Sequence, residues 1–332
     1  EAVAVGPYVN IRASIDWLAA QLSKKPEAKE SILIEHTSAN PNGPFHVGRA
    51  RNAVLGDTFV RIYRAAGYDV TAEYYVDDMG KQVGILCWAL ENLEEEQVQQ
   101  LLIEGEIPIE ESPHSSKDDH ARVLWYQAAN LLKSKDPVVD SGVTELVQKS
   151  EDADEDILNR FEAAYQPVLD GMLETLGRMG IAFDSFTKES KFIVDGSVEI
   201  LMDELQTSQL HGVAENGAHY LELESKGVKG KSTQFFYRRG DGSSLYATRD
   251  LAYHQYKWTR SGRLLNILGE DHKLQSKQVG IALDELNTQN PEVVFYAFTK
   301  LADGKMSTRR GNVVYMDDLL DEARSRALET VR

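Results

Sequence analysis

The sequence has a single cysteine, Cys87, in 332 residues. That excludes an intrachain disulfide framework and fits a reducing, cytoplasmic compartment. No apolar run approaches the ~20 residues of a membrane span, and no secretory segment opens the chain, so no membrane partner is expected. Positive charge is scarce: 36 Lys and Arg stand against 53 Asp and Glu, for a formal net charge of −17. This argues against nucleic-acid or membrane binding over the whole surface but leaves room for a local basic patch. There is no repeat at solenoid spacing and no Cys/His cluster of metal-ligand spacing, so no metal site is expected. The first residue is Glu1, and the last stretch is helix-like without a stop signal. A piece of a longer chain is therefore expected.

What is present is ordinary for a soluble globular protein: 42% hydrophobic and 27% charged residues. The length allows two or three domains. Periodicity predicts a connector and a helix over 10–22, then a short apolar strand, Ser31–Glu35. A loop of small residues follows, then a helix from about 45 to Gly67, which supplies its stop. A strand over 70–76 and a helix from about 80 come next. Strand, helix, strand, helix with short links marks a parallel α/β sheet. Residues 91–150 are rich in Glu and Gln, and 151–156 read EDADED. This stretch reads as a helical insertion, mostly solvated. The alternation resumes with a helix over 157–179 and a strand over 181–186, followed by a helix over 197–206. Residues 212–237 read as a small β insertion. A third stretch of alternation has a helix over 248–259, a strand over 264–268, a helix over 274–286 and a strand over 293–298. A hairpin or loop over 301–311 ends it. Trp88, Trp125 and Trp258 read as core or interface aromatics, and Cys87 as a core residue.

Ligands of such sheets bind beyond the carboxyl ends of the strands, at the point where strand order reverses. Three stretches lie there. After the first strand comes NPNGPFHVGR (40–49), with His46 at a helix start, Gly48 beside it and Arg49 next. Free helix N-terminal amides, an imidazole and a guanidinium make a seat for phosphate. Alone, the stretch reads equally as a helix cap with an incidental histidine. After a later strand comes LGEDH (268–272), where a carboxylate can take ribose hydroxyls or simply cap a helix. After the last strand comes a loop with Lys300, Lys305, Arg309 and Arg310, suited to closing on a polyphosphate or to lying in solvent.

The three occur together and in order, and their text points further. HVGR (46–49) resembles the HIGH signature of class I aminoacyl-tRNA synthetases, and KMSTR (305–309) the KMSKS signature. The runs EHTSANPNGPFHVGRARNAVLGD (35–57), EYYVDDMGKQ (73–82), LYATRDLAYH (245–254) and KMSTRRGNVVYMDDLL (305–320) resemble an arginyl-tRNA synthetase of archaeal type. The resemblance spans 32–332 and is weakest over 91–156.

The resemblance implies a Rossmann-like catalytic sheet with a helical and a small β-rich insertion. Residues 1–30 would be the tail of an N-terminal domain and a linker helix. The sheet would occupy 31–90, 157–190 and 244–312, the insertions 91–156 and 191–243. Residues 313–332 would open a helical anticodon-binding domain. It implies ATP with Mg2+, L-arginine and tRNA(Arg) as partners, acting on a monomer. His46 and Arg49 would meet the ATP phosphates, and Gly48 the adenosine. Lys305 would hold the departing pyrophosphate, with Met306 and Ser307 shaping its loop. Gly269, Asp271 and His272 would line the adenosine end. A guanidinium is planar, permanently charged and carries five donors, so its pocket wants carboxylates and flat acceptors. Glu35, Asn40, Tyr246 and Asp250 match the family's arginine-binding positions, and Ser38 is a further candidate. Tyr246 and Asp250, four apart, share a helix face. Without the resemblance, Glu35 and Asp250 read as salt-bridge partners of Arg49 or Arg249.

The chain departs from the signatures in places. The second His of HIGH is Arg49, and Thr308 and Arg309 replace part of KMSKS. Asp271 stands where relatives place a glutamine, which leaves it between arginine and ribose. Basic residues over 49–64, at Lys226, Lys229, Lys231, Arg238 and Arg239, and over 300–310 are candidates for tRNA phosphates. Two rivals remain: a small-molecule adenylyltransferase using the same two loops, and a truncated synthetase paralogue acting as a binding or regulatory module.

Overall fold

Residues 2–22, 27, 29–109, 112–230, 232–297 and 313–331 are described by a computed structural model. The chain starts with an antiparallel hairpin, β1 (Ala2–Val5) and β2 (Tyr8–Ile11), where a connector was expected. Valine and isoleucine recur along both arms, and Gly6, at φ +59°, makes the turn. The expected helix is shortened to α1 (Ile15–Leu22).

The sheet then forms much as the apolar runs predict. β3 (Ser31–Glu35) buries Ile32, Leu33 and Ile34 to 1% exposure or less, as a strand covered on both faces requires. α2 (Val47–Ala65) is capped by His46, and Gly67 at φ +92° turns the chain into β4 (Asp69–Val76). α3 (Lys81–Asn92) follows from Gly80. Its Cys87 is buried, and burial with Glu91 pushes the thiol up to about 12, so the expected core role holds.

The charged insertion departs from expectation. α5 (Asp118–Lys133), α6 (Pro137–Glu151) and α7 (Glu155–Arg178) pack on α3, and α4 (Glu95–Glu104) packs on α5, around a common core. Val98, Leu102, Tyr126, Val143 and Leu146 are buried there. Most charges lie on the outer faces, Asp119, His120 and Glu151 excepted, while apolar residues recur every three or four positions, so composition alone misread the segment as mostly solvated. β5 (Ser185–Lys188) begins later than the expected 181. Asp184 precedes it, its carboxylate accepting the Ala72 amide at 2.7 Å.

Two short helices, α8 (Lys191–Val194) and α9 (Ser197–Leu205), lead into the expected β insertion. Its strands β6 (His211–Val213), β7 (His219–Glu222) and β8 (Gln234–Arg238) are antiparallel. The remaining elements are α10 (Tyr246–Arg260), β9 (Leu264–Gly269), α11 (Lys273–Glu285), β10 (Glu292–Tyr296) and α12 (Met316–Val331). The loop expected at 301–311 lies outside the described residues.

The main sheet runs β10-β9-β3-β4-β5 and is parallel throughout. Strand order reverses between β3 and β9, so the crevice beyond their carboxyl ends is the place for a ligand. No helix among the described residues is long and apolar enough to cross a membrane.

Candidate active site

Beyond the ends of β3 and β9 three clefts adjoin, of about 850, 370 and 250 Å³. Glu35, the last residue of β3, and His272, after β9, line all three. The chain leaves β3 through a strained crest. Thr37 has φ +69° and Ser38 φ +37°, conformations that cost about 1–3 kcal/mol each and persist only when neighbours hold them. Here the neighbours do so. Asn52 Oδ1 accepts the Thr37 amide at 3.0 Å, and Ser38 Oγ accepts the Tyr75 amide at 3.0 Å.

The largest cleft brings together Glu35, Ser38, Asn40, Tyr246 and Asp250, five of the six residues expected at an arginine site. Tyr246 and Asp250 stand in the first turns of α10 on one face, as their spacing predicts. Glu35 does not pair with Arg49 or Arg249. Lys257, fully buried on α10, donates to Glu35 Oε2 at 2.6 Å and to Asn266 Oδ1 at 3.1 Å. Asn266 meets His254 at 2.9 Å, and His254 Nδ1 lies 3.2 Å from Asp250. A continuous polar network therefore runs beneath the cleft from Glu35 to Asp250. Burial works to raise the Asp250 pKa, but His254, Lys257 and His272 outweigh it and the net direction is down. Asp250 is thus held ionised for a cation.

The sixth, Asp271, is not among the residues lining these clefts. It is half-exposed, 3.7 Å from His272, and its charge acts on Tyr296, which lines the smallest cleft. His272 and Gln275 line the large cleft instead.

The smallest cleft carries the expected nucleotide residues Arg49, Gly269 and His272, with Asn52 and Tyr296. Arg49 donates to the Asn40 carbonyl at 3.0 Å and has no ion-pair partner among the described residues. His46 is buried, and its Nδ1 accepts the Gly48 amide at 3.1 Å, capping α2. An accepting Nδ1 leaves the proton on Nε2, a neutral donor. Burial first, then Arg49, lowers the His46 pKa to about 3, so the ring is uncharged at neutral pH. Lys305, Met306 and Ser307 lie outside the described residues. The segment after them pairs with the first motif: the Val47 amide donates to Val314 at 2.9 Å.

Sequence reading missed Asp77, Glu151 and Glu189, which line the large cleft together with Arg239, expected at tRNA phosphates, and Arg249, read only as a salt-bridge partner. Arg249 binds Glu189 and stands 3.6 Å from Glu151, which Arg239 holds at 2.9 Å. Glu151 opens the EDADED run that reads as wet surface; only the fold turns it inward. Much of the expected basic surface is engaged in the fold: Arg61 with Asp57, Arg64 with Asp184, Arg238 with Glu199, Lys226 with Glu285. A buried cluster of Asp119, His120 and Asp317 has metal-like spacing. Its cation place is taken by the Lys117 ammonium, 2.7 Å from Asp317 and 3.4 Å from Asp119.

Comparison with known proteins agrees with this geometry. A family model described as tRNA synthetases class I (R), catalytic domain, matches residues 15–332. The chain is 38% identical over 335 residues to an arginine–tRNA ligase of Methanothermobacter thermautotrophicus, covering 98% of this chain and 56% of that protein. It is 39% identical over 330 residues to that of Methanothrix thermoacetophila, covering 97% and 55%. The solved Thermus thermophilus arginyl-tRNA synthetase shares the fold, with TM-score 0.70 and 22% identity over 100% of this chain and 59% of that one. The chain thus spans a little over half the length of the curated relatives it matches.

Proposed function

The chain belongs to the arginine-type class I tRNA synthetase family, matching its catalytic domain, and on that premise we propose that it joins L-arginine to tRNA(Arg) through an arginyl-adenylate. One observation carries the reading: Glu35, Ser38, Asn40, Tyr246 and Asp250 converge on one cleft, beside a second cleft that holds Arg49, which has no ion pair among the described residues. The first suits a guanidinium and an amino-acid head, the second a nucleotide.

The chemistry follows from placement. An arginine carboxylate oxygen attacks the α-phosphorus of ATP, and pyrophosphate leaves. A terminal ribose hydroxyl of the tRNA then attacks the acyl carbon, and AMP leaves. Neither step needs a protein nucleophile, so positioning and charge stabilisation suffice. Asp250 and Glu35 hold the arginine, and Asn40 its backbone groups. Arg49 takes phosphate charge, and His46 Nε2 donates to the phosphates without titrating near neutrality. Gly48 lets the nucleotide approach α2. Gly269 and His272 line the adenosine end with Asp271 nearby. Lys305, with Met306 and Ser307, holds pyrophosphate. Mg2+ would enter with the triphosphate and neutralise part of its charge. The reading places the reaction in the cytoplasm, on a monomer.

The test is arginine-dependent ATP–pyrophosphate exchange with and without tRNA(Arg). Exchange requiring arginine and stimulated by the tRNA is expected. Exchange driven by another acid, indifferent to tRNA, would move the reading to a small-molecule adenylyltransferase.

A further inference from the structure

Among the described residues, five carboxylates line the large cleft: Glu35, Asp77, Glu151, Glu189 and Asp250. Four have a basic partner within the protein. Lys257 holds Glu35 at 2.6 Å, Arg239 holds Glu151 at 2.9 Å, Arg249 binds Glu189, and His254 stands 3.2 Å from Asp250. Asp77 has no ion pair among the described residues. It sits in the turn from β4 to α3, where the Asp78 amide returns to the Val76 carbonyl at 3.0 Å. Asp78 itself is satisfied by the Ser190 amide and hydroxyl.

The direct partner of Asp77 is another acid, Glu189, to which it hydrogen-bonds. Two carboxyls in contact must share a proton between them. Burial is the main cause holding Asp77 protonated, the Glu189 charge adds to it, and Arg249 opposes. Glu189 is raised in the same sense, burial again first. The charged and titratable groups around the pair come from every side. Asp78 lies on the same turn, Tyr75 at the end of β4 and Lys81 at the start of α3. Arg249 and Asp250 face it from α10, Glu151 from the end of α6, and the Arg49 guanidinium on α2 is coupled to Asp77.

We propose that Asp77, a cleft-lining carboxylate in no ion pair among the described residues, is a specificity residue for the positive charge of the amino-acid substrate and receives its cationic side chain. This rests on the reading under Proposed function and deepens it. A carboxylate already holding a lysine or arginine must divide its charge with a ligand, whereas Asp77 is in no ion pair among the described residues. The exchange balances: one cation enters and one proton leaves to solvent. A neutral side chain of the same shape cannot displace the proton. Affinity for the cation therefore rises with pH up to the pH at which the pair ionises in the free cleft.

Calorimetry of the full chain with L-arginine and with L-citrulline, its neutral isostere, tests this. Wild type is expected to prefer arginine and to release protons on binding it, seen as a dependence of the heat on buffer ionisation. Asp77→Asn is expected to weaken arginine roughly tenfold or more, leave citrulline nearly unchanged and abolish the proton release. Asp77→Glu is expected to restore part of the affinity. The proposal is overturned if Asp77→Asn binds arginine as wild type does with the same proton release. It is equally overturned if both ligands weaken alike, the mark of a merely structural residue. If wild type binds ATP but does not prefer arginine, the parent reading fails and takes this role with it.

Discussion

The amide of Val47 donates to the carbonyl of Val314 at 2.9 Å, and the amide of Met316 donates back to Phe45 at 2.8 Å. Two backbone bonds thus join the start of α2, which carries the first signature, to the residues that follow the second signature in sequence.

Met316→Pro tests the ladder. Met316 opens α12, and proline is tolerated at the first helical position. The preceding residue, Tyr315, is already in a β-bridge with His46, as a residue before proline prefers. The change therefore deletes one donor and spares the helix. A loss of about 1 kcal/mol in stability and a severalfold rise in KM for ATP are expected. Met316→Ala controls for the side chain, and equal behaviour of the two variants would remove the ladder from the account.

Lys257→Met leaves Glu35 without its cation. Lys257 is fully buried and the Glu35 side chain is 13% exposed, so the orphaned carboxylate costs about 3 kcal/mol. A fall of that size in the unfolding free energy, read from denaturant titration, is expected, with weaker arginine binding. Lys257→Met with Glu35→Gln should recover most of the stability and little of the binding.

Asp317 accepts from Lys117 at 2.7 Å, Thr175 at 2.9 Å and Arg178 at 2.6 Å. It clasps the start of α12 to α5 and α7. Asp317→Ala is expected to destabilise by about 3–5 kcal/mol. A chelator is expected to leave the melting temperature unchanged, because Lys117 is the cation there. A drop in melting temperature with EDTA, restored by a divalent ion, would contradict this.

Acid should destabilise the fold early. Burial lowers His36 to about 4 and His46 to about 3. The unfolded chain takes up those protons near pH 6.5 and the folded one does not, so stability falls as pH drops from about 6.5 towards 3. Asp317 adds in the same direction: burial opposes its ionisation, but bonds from His120, Lys117 and Thr175 outweigh burial and keep its pKa low. The shifts set a ceiling of roughly 3 kcal/mol for His36 and roughly 5 kcal/mol for His46. Urea midpoints from pH 7 to pH 4 should show the fall, and His36→Phe should flatten it.

The strands and their order of appearance were readable in the residues because each depends on local pattern. Ser31–Glu35 is an apolar run bounded by turns, and it became β3 with the same ends. The spacing of Tyr246 and Asp250 likewise placed both on one face of α10. The hairpin at β1 and β2 was missed, since its short arms compete poorly with a helical pattern beside them. The insertion was misjudged from its charge, although its apolar spacing was there to count.

The site divides along the same line. Residues at strand ends and helix starts, such as Glu35, Arg49 and Gly269, follow from chain position, because a parallel sheet puts its ligand beyond its carboxyl edge. Their partners do not. Lys257 beneath Glu35, Glu151 beside Arg239 and Asp77 against Glu189 come from separate elements. Whether a charge meets solvent, an opposite charge or a like one depends on how those elements pack in three dimensions, and no local periodicity carries that information.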